Sequence, residues 1–144
     1  NGAFQLQSRK LKDWPEQQEW LEWAYPTATR WYESVAFPLF SPYAWLNPLR
    51  WGNLTEIKHY RLVKDGSLGA LLSVLSNQEK TDKLWLALPQ TADLNVRLKA
   101  LLQKYLQDHW LGRRLFLEFP KDRGAEGFAQ AGFRKLRDLN WMHY

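Results

Sequence analysis

The residues best placed to do chemistry lie in one turn, residues 89–97, which reads PQTADLNVR. The turn is predicted to join a strand that ends at Leu88 to a helix that begins near Leu94. A helix that starts directly after a strand presents free backbone N–H groups to an anion, and glycines there let a phosphate approach the backbone closely. This turn contains no glycine. The pattern therefore predicts a phosphate-binding architecture that lacks the residues for close approach.

Two carboxylates are candidate general bases. Glu118 falls in a predicted strand over residues 114–119, on the face opposite Leu115 and Leu117, and Glu56 directly precedes another predicted strand. A carboxylate at either position could accept a proton, in the case of Glu56 through a water. An exposed carboxylate at a sheet edge is the commoner outcome for both positions.

Other catalytic chemistries find little support in the sequence. His59, His109 and His143 fall in different predicted elements without metal-ligand spacing, and the chain has no cysteine, so no metal site is expected. His109 is expected to pack or cap near the end of a helix. Neither a nucleophile-elbow motif nor a phosphate-binding P-loop motif occurs, which disfavours hydrolases and nucleotide triphosphatases.

The formal net charge of +5 is concentrated in residues 113–137, where seven basic residues face three acidic ones. A local excess of positive charge favours binding of a phosphorylated cofactor or a nucleic acid, although a solvated basic face without a ligand is the commoner outcome. Trp110, Phe116 and Phe133 could form a stacking groove for single-stranded nucleic acid beside these basic residues. Aromatic residues flanked by leucines in a predicted strand more often form core, so nucleic acid is disfavoured.

A chain of 144 residues fits a single domain, residues 1–144. No stretch of 18 apolar residues and no charged-then-apolar leader occurs, and cysteine is absent, so a soluble cytoplasmic protein without a membrane span is predicted. The chain begins at Asn1 and its only methionine is Met142, which predicts a trimmed piece of a longer polypeptide.

The first part of the chain is predicted to hold one strand and a Trp/Pro-rich helical and loop segment, residues 14–56. Apolar and polar residues alternate over 4–9, which favours a strand, and Asp13 with Glu16 matches a capping box at the start of a helix. A short helix over 28–36 and a loop over 37–56 follow. The aromatic side chains of this loop must be covered, and a lid over the domain's own core is favoured over a membrane or partner surface.

Residues 57–144 are predicted to supply most of the sheet and the core helices. Asp65-Gly66 is typical of a tight hairpin turn between two strands, and leucines at helical spacing from Leu94 indicate a long core helix that ends before Gly112. The further predicted elements are a strand over 84–88, a strand over 114–119, a short helix over 124–131 that ends at Gly132, and a last strand over 139–144. The class is α/β (α+β), with a mixed, mostly antiparallel sheet of six to seven strands flanked by helices.

This order of elements resembles the GNAT acyltransferase superfamily over nearly the whole chain. The most telling pieces are the hairpin around Asp65-Gly66, the strand-to-helix passage over 89–102, and the pair Gly132-Phe133 between the short helix and the closing strand. The resemblance implies acetyl-CoA or another acyl-CoA as co-substrate, an amine as acceptor, and direct acyl transfer. The residues that it implies at the acyl-CoA site are Leu88, Gln90, Asn95, Val96 and Arg97, and Glu118 is the candidate for proton transfer.

The chain departs from the family pattern where the cofactor would bind. The family's Arg or Gln and its two small residues become Ala92, Asn95 and Arg97, so side chains are expected where backbone should touch phosphate. Asp93 adds a negative charge beside them, and Arg97 could compensate in part by pairing with phosphate. Phe128 stands where many members have a tyrosine that protonates the departing thiolate.

Two hypotheses follow. In the first, the domain transfers an acyl group to a small-molecule or peptide amine through an eroded acyl-CoA site. In the second, it is a catalytically silent GNAT-fold domain that serves protein interaction or dimerisation, with a second copy or an upstream GNAT domain as partner.

Overall fold

The computed structural model describes residues 3–24, 54–77, 80–118, 125–135 and 141–143. The helix predicted over 28–36 and most of the aromatic loop over 37–56 lie outside these residues. The described strands form one sheet of seven, in the order β1-β2-β3-β4-β5-β7-β6. They are β1 (Gln5–Ser8), β2 (Leu54–Lys64), β3 (Ser67–Asn77), β4 (Thr81–Ala87), β5 (Arg114–Glu118), β6 (Arg134–Lys135) and β7 (Trp141–His143). All neighbours are antiparallel except β4 and β5, so the predicted mixed, mostly antiparallel class is confirmed.

The β2–β3 hairpin is formed by the turn that the sequence predicts. Asp65 and Gly66 have φ of 52° and 79°, which is the backbone that a tight two-residue hairpin turn requires. Gly66 adopts this conformation without steric cost, and Asp is among the few other residues that tolerate it. The hairpin fixes the register of the two longest strands, Leu54–Lys64 and Ser67–Asn77.

Helices cover both faces of the sheet: α1 (Trp14–Ala24), α2 (Leu94–Asp108) and α3 (Ala125–Gln130). Gln17 of α1 bonds to Ser73, whereas the Tyr105 ring of α2 packs against Tyr60, which pairs with Leu72. Successive residues of a strand point to opposite faces, so α1 and α2 lie on opposite sides of β3. The described chain contains no helix long and apolar enough to cross a bilayer.

The long helix α2 buries one face, as its leucine spacing predicts. Leu98, Leu101, Leu102 and Tyr105 are all buried against the sheet and α3. Just after the helix, Gly112 has φ of 80°, a left-handed conformation that suits glycine.

Several element boundaries differ from the prediction. Strand β2 begins at Leu54 instead of residue 57, β4 covers Thr81–Ala87 instead of 84–88, and the two-residue β6 was not predicted. The predicted capping box at α1 is wrong. The buried carboxylate of Asp13 accepts instead from the Lys10 backbone N–H, inside a 3₁₀ turn that precedes the helix.

Candidate functional site

The parallel strands β4 and β5 pair over only part of their length. Their register joins Thr81–Leu84 to Arg114–Leu117 and does not continue to the next two residues, Trp85 and Glu118. Trp85 pairs with Ser73 of β3, and Glu118 pairs with Trp141 of β7. Among the described residues, which end at Glu118 on this strand, Trp85 and Glu118 therefore each pair only with their outer neighbour, and the β4–β5 pairing has a break after Leu84 and Leu117.

The start of α2 lies just beyond this break. The N-cap residue Asp93 makes no side-chain capping bond, and the first regular helical bond runs from the Arg97 N–H to the Asp93 carbonyl at 3.1 Å. The backbone N–H groups of Asn95 and Val96 find no acceptor in the described part of the chain. Two adjacent donors at a helix start, with the positive end of the helix dipole behind them, suit an anion.

The side chains of Asn95 and Arg97 are directed to either side of these donors. Asn95 Oδ1 accepts the Gly127 backbone N–H of α3 at 3.0 Å. Arg97 Nη1 donates to the Gly69 carbonyl of the β2–β3 hairpin at 3.0 Å. Residues two apart on a helix project in different directions, and each of these side chains has found a partner on another element.

Asp93 is the anionic group at this helix start. Its carboxylate accepts the Thr91 hydroxyl at 2.7 Å, and Arg97 Nε lies 3.0 Å from Oδ1. The Thr91 hydrogen bond above all, and also Arg97, hold the pKa of this carboxyl below its usual value. A negative charge is thus fixed beside the two open N–H groups, as the sequence predicted.

Gly127 allows α3 to pack directly onto the first turn of α2. A Cβ atom at this position would lie 2.8 Å from the Asn95 carbonyl oxygen and 3.0 Å from Leu98 Cβ, closer than side-chain carbons normally come. No local pattern in the sequence marked this contact. It aligns the start of α3 beside the start of α2, with the Asn95 amide as the link.

The other proposed site residues occupy varied positions. Leu88 is fully buried, whereas Gln90 and Val96 are exposed. Glu118 is the last residue of β5, where the break begins, and its backbone alone is described. Glu56 lies near the other end of the sheet, opposite Ser76 on β3, so the structure does not bring it to the α2 start.

Phe128 lies in α3, where the resemblance implies a tyrosine in active members. Its ring is buried and packs edge-on against Phe133, with ring centroids 6.4 Å apart. The ring offers neither a hydroxyl nor a titratable proton. The described residues of α3 therefore contribute packing at this position and not proton transfer.

A buried polar chain crosses the opposite face of the sheet, under α1. Arg9 Nη1 donates to Gln17 Oε1, Gln17 Nε2 donates to Ser73 Oγ, and Ser73 Oγ contacts His59 Nδ1, each at 2.6 Å. Burial first, and then the charge of Arg9, lower the pKa of His59 to about 3. The imidazole is therefore neutral in the folded protein at physiological pH.

This neutral histidine predicts a loss of stability in mild acid. An unfolded chain takes up a proton on His59 below about pH 6.5, whereas the folded chain does so only near pH 3. The contribution of His59 is complete above pH 6.5 and is lost as the pH falls, so the free energy of unfolding should drop by about 2 kcal/mol between pH 7 and pH 5. Urea unfolding at both pH values measures this. A His59→Gln variant should show a smaller drop, and an equal drop in both proteins would contradict the assignment.

Solved structures of other proteins are similar to this chain over nearly its whole length. PaiA N-acetyltransferase from Thermoplasma acidophilum in complex with coenzyme A is 15% identical, with a TM-score of 0.56 and coverage of 98% of this chain and 97% of that chain. Aminoglycoside acetyltransferase AAC(6')-Ib in complex with coenzyme A and kanamycin is 12% identical, with a TM-score of 0.59 and coverage of 99% and 94%. Campylobacter jejuni N-acetyltransferase PseH is 13% identical, with a TM-score of 0.58 and coverage of 98% and 96%. No protein-family model and no curated protein matches the chain.

These similar structures are GNAT N-acetyltransferases, and the match covers nearly the whole length of each of them. The chain therefore has the GNAT fold, as the order of its predicted elements implied. The helix start beyond the break holds Asn95, Val96 and Arg97, which the resemblance implies at an acyl-CoA site.

Proposed function

We propose that residues 1–144 form a single GNAT-fold domain that transfers an acyl group from acetyl-CoA or another acyl-CoA to an amine, through a weakened acyl-CoA site. The helix start with two open backbone donors carries the proposal, together with the β4–β5 pairing, which among the described residues ends at Leu84 and Leu117. Both features are needed if the thioester arm of the cofactor is to lie between the strands while its pyrophosphate is bound at the helix start. The similar structures that contain coenzyme A support the choice of ligand.

Each residue at the site has a definite task in this proposal. The N–H groups of Asn95 and Val96 bind the pyrophosphate, and Arg97 lies close enough to add a charged contact if it leaves Asp93. Glu118 is the proposed base that takes a proton from the acceptor amine. The amine nitrogen then attacks the thioester carbonyl, the C–S bond breaks, and the departing thiolate takes its proton from water because Phe128 has none to give.

Calorimetric titration with acetyl-CoA tests the proposal directly. Binding tighter than about 100 μM, equivalent to roughly 5.5 kcal/mol, would support a working donor site. No detectable heat at millimolar acetyl-CoA would overturn it and favour a silent domain. Desulfo-CoA serves as a control, because it keeps the pyrophosphate and pantetheine contacts without the thioester.

The silent alternative is favoured by two observations: a carboxylate fixed at the helix start and a phenylalanine where a proton donor would stand. In this case the fold serves protein interaction, with a second copy of the chain or an upstream GNAT domain as partner. Sedimentation at increasing protein concentration distinguishes the alternatives. A stable dimer without acetyl-CoA binding would favour the silent domain, whereas a monomer that binds acetyl-CoA would favour the transferase.

Neutralising Asp93 should strengthen acyl-CoA binding. An Asp93→Asn variant removes a negative charge beside the pyrophosphate and frees Arg97 Nε, so the affinity for acetyl-CoA should rise about fivefold to tenfold. The gain should shrink in high salt, because the interaction lies at an exposed site. In the double variant Asp93→Asn, Arg97→Ala most of the gain should disappear. An affinity that is unchanged by Asp93→Asn would show that this carboxylate does not compete with the cofactor.

A further inference from the structure

Asn95 stands where the resemblance implies a small residue, and its side chain is directed toward α3. Its Oδ1 accepts the Gly127 backbone N–H at 3.0 Å. A backbone nitrogen can only donate, so the amide atom of Asn95 that faces Gly127 must be the oxygen. The Asn95 amino group Nδ2, which carries two N–H donors, has no acceptor among the described residues. The part of this side chain that is open to a further partner is therefore a donor.

Helix α3 depends on contacts with α2, because it is too short to be stable alone. It has six residues, whereas an isolated helix needs roughly 12–15 residues to be even marginally stable in water. Gly127 is the third residue of α3, so its N–H has no acceptor within its own helix. The Asn95 side chain supplies that acceptor from α2, as a capping residue does within a single helix.

Close packing at the same place sets the distance between the two helices. A Cβ atom at position 127 would lie 2.8 Å from the carbonyl oxygen of Asn95 and 3.2 Å from its Cα atom. Glycine therefore lets α3 lie directly against the residue whose backbone N–H is open. A further hydrogen bond between the helices, from Gln103 Nε2 to the Gln130 carbonyl at 3.4 Å, lies at the far end of α3.

We propose that Asn95 is a positioning residue of the acyl-CoA site: its side chain holds the first turn of α3 beside the open N–H groups and stays clear of the phosphate. The inference rests on the proposed function, because the position of α3 matters to the reaction only when acyl-CoA is bound. An asparagine in place of a small residue is then compatible with acyl-CoA, since α3 uses its oxygen and only donors remain. A side chain that blocked the phosphate would have the opposite effect on binding when it is removed.

Removing the Asn95 side chain decides between these two effects. In Asn95→Ala the Gly127 amide loses its acceptor, so its hydrogen exchange, followed by NMR, should become about fivefold faster, which corresponds to about 1 kcal/mol. Acetyl-CoA, titrated by calorimetry, should bind about fivefold more weakly because α3 is no longer held in place. Tighter binding of acetyl-CoA by Asn95→Ala, or unchanged exchange of the Gly127 amide, would overturn the proposal.

A second variant separates the contact with α3 from the amide donors. Asn95→Asp keeps an oxygen for the Gly127 N–H and replaces the amino group with a charged oxygen. Exchange of the Gly127 amide should not become faster, whereas acetyl-CoA should bind at least about tenfold more weakly. Faster exchange in Asn95→Asp would contradict the assignment of the amide oxygen to Gly127.

Gln103→Ala is the matched control, because it also removes an amide side chain that links α2 to α3. Its bond lies away from the helix start, so both the exchange of the Gly127 amide and the affinity for acetyl-CoA should equal those of the wild type. A loss of affinity in Gln103→Ala as large as in Asn95→Ala would show that any contact between the helices has this effect, and Asn95 would have no special part.

Failure of this inference and failure of the proposed function give different results. A wild-type protein that binds no acetyl-CoA would contradict both the proposed function and a role for Asn95 in it. If the wild type binds acetyl-CoA and Asn95→Ala binds it equally well, only the inference is wrong. If the affinity falls in the Asn95 variants as expected but the wild type transfers no acyl group, the role of Asn95 is supported and the proposed reaction is wrong.

Discussion

Replacing Asp13 with alanine is expected to lower the free energy of unfolding by about 3–5 kcal/mol. Asp13 Oδ2 lies 2.9 Å from Arg61 Nε, and the side chains of the two residues are only 3% and 8% exposed. Loss of the carboxylate leaves the Arg61 guanidinium buried with the Gln7 amide oxygen, at 3.1 Å, as its remaining described side-chain partner. It also removes the acceptor of the Lys10 N–H in the turn before α1. Urea unfolding of the wild type and the variant measures the difference.

A double replacement separates the charge from the packing. Asp13→Leu combined with Arg61→Met removes both charges and fills the site with apolar groups, which is often neutral for buried ion pairs. The double variant should therefore recover most of the stability that Asp13→Ala loses. If both variants are equally unstable, the loss of the Lys10 contact in the turn, and not the unpaired buried charge, accounts for the lower free energy of unfolding.

The sequence predicted those parts of the fold that depend on local chemistry. Asp65-Gly66 dictates its own turn, and the leucine spacing after Leu94 follows from the helical period, so both were confirmed. Strand ends were less accurate, because pairing with a neighbour decides where a strand begins. Strand β2 extends back to Leu54 because β3 continues to Asn77 and offers pairing partners along its whole length.

The candidate site was predicted in outline but not in its side-chain geometry. The strand-to-helix turn and the fixed charge of Asp93 could be predicted because they depend on neighbouring residues. The partners of Asn95 and Arg97, by contrast, lie 32 and 28 residues away in sequence, on α3 and on the β2–β3 hairpin. No local pattern reports such contacts, so the sequence could not predict the partners of these two side chains.

Replacing Phe128 with tyrosine is expected to raise the rate of acyl transfer about 100-fold, which corresponds to about 2.7 kcal/mol of activation free energy. The reason is that the proposed reaction releases a thiolate, and a phenol at this position supplies its proton within the site in place of solvent water. The variant keeps the aromatic ring that packs against Phe133. Initial rates with acetyl-CoA and an amine acceptor measure the effect, and kcat should change more than KM because the proton is needed only after the amine has attacked.

The pH dependence distinguishes proton donation from a change in packing. A tyrosine that donates its proton should make kcat of the variant fall as the pH rises toward about 10, the ordinary pKa of a phenol, whereas the wild type lacks this group. Phe128→Leu serves as a control, since it alters the packing against Phe133 without adding a donor. Adding a hydroxyl at this buried position also costs stability, about 1–3 kcal/mol if it finds no partner, so unfolding is measured in parallel. A folded Phe128→Tyr protein whose kcat and pH profile match the wild type would mean that residue 128 lies away from the reacting sulfur, and the likeness to active family members would then end at the fold.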